Sequence, residues 1–125
     1  MTQAELAAYQ TVHTITASPK HLVLMLFDGA TRFLRQARRA LDRGDVARFG
    51  EAVCRAQAIV AELSNVLDRE AGGEVAANLD HLYDFMLRHL AQSIAAKSSR
   101  HLDQVLGPLT TLRAGFQAAV EARHG

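Results

Sequence analysis

Apolar residues recur along this chain at helical spacing. Phe49, Val53, Ala56, Val60, Leu63 and Leu67 step by 4, 3, 4, 3 and 4, which puts them on one face of an amphipathic helix. Val75, Leu79, Leu82, Met86 and Leu90 form a second stripe, and Leu102, Leu106, Leu109, Leu112, Phe116 and Val120 a third. No stretch sustains the two-residue alternation of a strand. Breaks separate the stripes. Ser18-Pro19 predicts a helix start, with Ser at the cap and Pro at the first helical position. Asp42-Arg43-Gly44-Asp45 predicts a stop and a restart, Gly72-Gly73 a further break, and Ser98-Ser99 the last restart. The chain thus reads as four helices at about 19–42, 46–70, 74–96 and 100–123, with a shorter helical arm at about 3–12. Tight connections make neighbouring helices antiparallel. The expected fold is all-α: an up-down four-helix bundle over residues 18–123, preceded by an N-terminal arm over 1–17. Gly107-Pro108 conflicts with the last helix and predicts a kink or short break near Gln104 to Gly107.

The first long helix is more apolar than a bundle requires. Leu22-Val23-Leu24-Met25-Leu26-Phe27 covers the whole circumference of a helix, whereas a bundle helix buries a stripe. Leu82-Tyr83-Asp84-Phe85-Met86-Leu87 repeats the feature. Three readings are open: the N-terminal arm covers the surface, through Tyr9, Val12 and Ile15; Leu24, Phe27 and Phe85 are simply scattered exposed residues; or an apolar segment of another chain is seated in a groove. Asp28-Gly29 interrupts the first run. A mid-helix Gly costs about 1 kcal/mol, which close approach of another helix would justify. Asp28 either accepts a hydrogen bond, from Tyr83 or a backbone N–H, or faces solvent.

Composition sharpens this picture without redirecting it. With 125 residues the chain makes one domain, and 22 Ala against 2 Pro favour helix. The single Cys excludes an internal disulfide framework and fits a reducing compartment. No secretion signal or membrane-length apolar run is visible. Candidate chemistry is sparse. The sequence does not supply the inward Glu-x-x-His pairs from two helices that a di-iron centre needs. His81 and His89 read as surface or half-buried residues, and Cys54 as a small structural hydrophobe. No glycine-rich phosphate loop follows a strand. On these residues an enzyme is unsupported and a metal site is the weaker reading. Arg32, Arg35, Arg39 and Arg43, with Arg38 beside them, form a basic stripe that reads as a solvated face. Phosphate contact is the alternative, but a net charge of +1 does not favour a nucleic-acid partner.

These residues also carry a resemblance. Tyr9-Gln10, Thr16-Ala17-Ser18-Pro19-Lys20-His21-Leu22 and Met25-Leu26-Phe27-Asp28-Gly29-Ala30, followed by Leu67-Asp68, Gly72-Gly73-Glu74-Val75-Ala76-Ala77-Asn78-Leu79 and Leu82-Tyr83-Asp84-Phe85-Met86, resemble the two signatures of the flagellin export chaperone family, FliS. The resemblance spans about residues 6–123. It implies a cytoplasmic chaperone without catalysis, cofactor or membrane insertion. Such a chaperone holds the disordered C-terminal segment of flagellin in a 1:1 complex, prevents premature polymerisation, and aids delivery to a component of the flagellar type III export gate. The expected partner contacts are Tyr9, Ile15, Leu22, Leu24, Met25, Phe27, Leu82, Phe85 and Met86. Ser18, Pro19, Asp28, Gly29, Gly72, Gly73, Asn78 and Tyr83 are the expected architectural positions. Phe116 stands where the family often carries Trp. The competing reading is a self-associating structural bundle whose apolar excess is a homodimer seam.

Overall fold

The computed structural model describes residues 19–124, with side chains as far as Glu121. Within these residues lie four helices: α1 (Lys20–Asp42), α2 (Val46–Asn65), α3 (Arg69–Ala96) and α4 (Ser99–His124). The expected arm at 1–17 and the cap Ser18 lie outside the described residues. Pro19 is itself the cap of α1 rather than its first helical residue, and its carbonyl accepts the Leu22 and Val23 N–H groups at 3.0 and 3.3 Å. A proline there sacrifices no helical donor.

The α1–α2 turn follows from its sequence. Gly44 takes φ 75°. The Asp45 N–H reaches the Ala40 carbonyl at 2.8 Å and the Gly44 N–H reaches Leu41 at 3.0 Å, the paired bonds of a Schellman motif. The Asp45 carboxylate then accepts the Arg48 N–H at 3.1 Å and starts α2.

The α2–α3 junction departs from expectation. α2 stops at Asn65, not near residue 70, because Asp68 accepts the Ala71 N–H at 3.0 Å and opens the next helix early. Gly72-Gly73 therefore interrupts α3 instead of preceding it. Gly73 adopts φ 52°, ψ −126°, a combination open essentially to glycine alone. The kinked first turn folds back on the helix body, and Arg69 reaches Asp80 at 2.8 Å. Eleven residues of straight helix would hold their backbones about 16 Å apart. The α3–α4 turn places Lys97 in the left-handed region, and the Ser98 hydroxyl accepts the Arg100 N–H at 3.2 Å. α4 runs through Pro108 without the expected break. The Gln104 carbonyl that Pro108 leaves without a donor belongs to a solvent-exposed residue, where water can serve it.

α1 packs on α2 and α4, and α3 packs on the same two helices, so the chain closes as an up-down bundle in which α1 and α3 are diagonal. Phe27 and Phe116 meet at 5.2 Å between ring centroids. In the same core Leu34, Phe49, Val53, Val60, Leu63, Leu90, Leu102 and Leu109 are buried, each worth roughly 1.5–3 kcal/mol against exposure. The core face of α3 is Ala76, Leu79, Tyr83, Met86, Leu90 and Ser93, centred one residue beyond the predicted stripe. Gly29 is also explained: a Cβ there would stand 3.2 Å from Cδ1 of Ile59 on α2. Among the described residues, no helix is long and apolar enough to cross a membrane.

Candidate partner-binding surface

The apolar run at the start of α1 divides between core and surface. Val23, Leu24 and Phe27 are buried, Leu26 is half-buried, and Leu22 and Met25 stand 44% and 64% exposed. Three residues apart, Leu22 and Met25 share a face one above the other. At the same end of the bundle, just past the Gly73 kink, Val75 is 42% exposed. From it a second stripe runs along α3 beside the core stripe, through Asn78 (exposed) and Leu82, Phe85 and His89 (half-buried). The Phe85 ring lies 4.2 Å from the His89 ring, and His89 Nδ1 meets His101 Nδ1 of α4 at 3.1 Å, one ring donating to the other.

The expected contact residues are therefore not on one open surface in the free chain. Leu22 and Met25 are open, while Leu82 and Phe85 present edges. Leu24, Phe27 and Met86 were expected at the partner surface and instead lie in the core, with Phe27 and Met86 fully buried. Phe27 is turned inward by Phe116 of α4, a pairing 89 residues apart in sequence. Tyr9 and Ile15 lie outside the described residues. Val75 was read as core; the Gly72-Gly73 break just before it was the available signal that the helix there swings away from the stripe.

Of the architectural residues, Tyr83 is buried and its burial pushes the phenol well above the ordinary tyrosine range. Asp28 does not meet Tyr83 or a backbone N–H. It accepts Arg113 Nε of α4 at 3.0 Å and Nη2 at 3.4 Å, at the surface. Around the kink, the Ser64 hydroxyl and the Arg69 guanidinium both donate to Asp80 Oδ1 at 2.8 Å. Arg69 foremost, then Ser64, hold the Asp80 carboxyl below the usual carboxylate range. Cys54 is exposed, not tucked beside the core as its place near the α2 stripe suggested. Among the described residues, no three His, Cys, Asp or Glu side chains gather as metal ligands.

The fold is a closed helical bundle with apolar residues part-open on two of its helices. The profile of the family described as "Flagellar protein FliS" matches residues 1–123. Three relatives named flagellar secretion chaperones are similar. The FliS of Salmonella typhimurium is 42% identical over 99 residues, 78% of this chain and 73% of the relative. That of Bacillus subtilis is 34% identical over 122 residues, 94% and 90% of the two chains. The FliSB of Pseudomonas aeruginosa is 34% identical over 100 residues, 80% and 79%. The chain belongs to the FliS family.

Proposed function

We propose that this protein is a cytoplasmic export chaperone that binds the disordered C-terminal segment of flagellin, blocks its premature polymerisation and aids its delivery to the flagellar type III export apparatus. The observation that carries the reading is two sets of part-open apolar residues, Leu22 and Met25 on α1 and Val75, Leu82 and Phe85 on α3, on a chain whose relatives are named flagellar secretion chaperones. The mechanism is occupancy. Apolar side chains of flagellin that would pair with other flagellins pack here instead, and each one buried contributes roughly 1.5–3 kcal/mol. The client orders as it binds, which subtracts from that sum. Leu22, Met25, Leu82 and Phe85, with Tyr9 and Ile15, make the contact; Leu24, Phe27 and Met86 hold its shape from beneath. Release requires competition or transport of the client.

Calorimetric titration with a peptide of the last ~40 residues of the organism's own flagellin is expected to give a 1:1 complex and a negative heat-capacity change. Met25→Asp combined with Leu22→Asp should weaken it at least about tenfold while circular dichroism stays unchanged. A silent titration of the unmodified protein ends the proposal.

A further inference from the structure

The opposite end of the molecule carries a surface of different chemistry. A groove of about 460 Å³ lies between α1 and α2 beside their turn. Its floor is the half-buried Phe33 with the small side chains Ala40 and Ala52, whose shortness leaves the space unfilled. Its rim holds Arg39 and Arg43 from α1 and Arg48 and Arg55 from α2, against the single acid Glu51. Arg48 is paired with Asp45 at 3.4 Å and Arg55 with Glu51 at 3.0 Å, both on the exposed surface, where a ligand carboxylate can replace such partners at little cost. Arg39 and Arg43 make no ion pair among the described residues. The guanidinium carbons of Arg32 and Arg55 lie 5.5 and 5.7 Å from the centre of the Phe33 ring, within cation–π range.

We propose that this groove docks an acidic peptide segment of a partner protein, which seats an apolar side chain on Phe33 and its carboxylates on Arg39 and Arg43. The volume is at the lower end for a ligand pocket, enough for a few side chains. The guanidinium fork matches carboxylates bidentately. The Phe33 ring at its floor offers a side-chain anchor that a sugar–phosphate backbone would not use. A net charge of +1 gives the whole molecule little pull on a polyanion. Arg39 stands fourteen residues beyond Met25, about 21 Å along α1, so this surface is separate from the apolar seam and does not rest on the flagellin reading.

The probes are a fluorescent peptide of glutamates around one phenylalanine, the same peptide with lysines in place of the glutamates, and a fluorescent oligothymidylate, each titrated into the full chain and followed by anisotropy. The glutamate peptide is expected to bind, and to bind less tightly as salt rises. The lysine peptide is expected not to bind. Arg39→Glu with Arg43→Glu should weaken the glutamate peptide at least about tenfold. Because both positions are exposed, helicity should persist and binding of the flagellin peptide should be unchanged. Phe33→Ala should weaken the glutamate peptide as well, separating an anchored complex from diffuse attraction. Failure of the glutamate peptide to bind overturns the proposal. So do oligothymidylate binding as tightly, indifference to the arginine reversals, and a salt-reversible rise in mass of the protein alone, which would seat a second copy there.

Discussion

Two neighbours in one apolar run, Met25 and Phe27, have opposite fates, and the reason is a residue far along the chain. Phe27 meets Phe116 at 5.2 Å and is fully buried, while Met25 is 64% exposed. Removing the Phe27 side chain opens a cavity, so Phe27→Ala is expected to cost about 3–5 kcal/mol in chemical denaturation. Met25→Asp should stay within about 0.5 kcal/mol. The excess of apolar residues was legible locally. Which of them turn inward was not, because long-range partners decide it, as Phe116 does for Phe27. Gly29 and Gly73 were both flagged by sequence for different reasons. A Cβ at Gly29 would stand 3.2 Å from Cδ1 of Ile59, a flexible side-chain end. Gly73 holds φ 52°, ψ −126°, a backbone shape that punishes any Cβ. Gly73→Ala is therefore expected to destabilise by about 1–3 kcal/mol, with a lower denaturation midpoint and an unchanged slope.

At the level of elements, the stripes and breaks read from sequence give the number and order of the four helices, and the α1–α2 turn forms by the Gly44 and Asp45 chemistry that its residues specify. The α2–α3 junction was misread because two signals competed. Asp68 is a good cap and Gly72-Gly73 a good breaker, and the chain uses both: helix from Arg69, kink at Gly73. Tertiary contacts favour this outcome, since Arg69 reaches Asp80, which Ser64 of α2 also binds, only when the first turn folds back. That arrangement predicts a pH dependence. Because the Asp80 pKa is lowered on folding, the carboxylate adds stability above its unfolded value of about 3.9. That stability is lost as pH falls through the lower folded value. Asp80 and Arg69 are about half exposed, so solvent screens the pair to a fraction of a kcal/mol. In urea denaturation, the unmodified chain should exceed Asp80→Asn by that small margin near neutrality. The margin should close as pH falls through the lowered folded value; a difference independent of pH would assign it to packing.

Across the whole molecule, a net charge of +1 conceals a lengthwise division. The α1–α2 and α3–α4 turns lie at one end and carry Arg39, Arg43, Arg48, Lys97 and Arg100. That end also holds Asp42 and Asp45, fewer than its bases; the α2–α3 junction lies at the other end and carries Glu62, Asp68, Glu70 and Glu74 against Lys20 and Arg69, beside the open apolar residues Leu22, Met25 and Val75. A homodimer built on that apolar end would be the structural-bundle alternative. A stable dimer buries about 800 Å² per partner. Leu22 and Met25 on α1 and Val75 on the diagonal helix α3 are each only partly exposed, between 42% and 64%, which falls well short of such a seam. Their acidic surroundings, brought together in two copies, would also repel. A disordered segment can follow the surface from α1 to α3 and bury the edges of Leu82 and Phe85 on the way, which a second rigid bundle cannot. Light scattering after gel filtration is therefore expected to give a mass of 13.6 kDa at every loading, rising by one peptide when the flagellin segment is added. A dimer whose mass is independent of concentration, and which the peptide does not dissociate, would make the apolar end a self-interface.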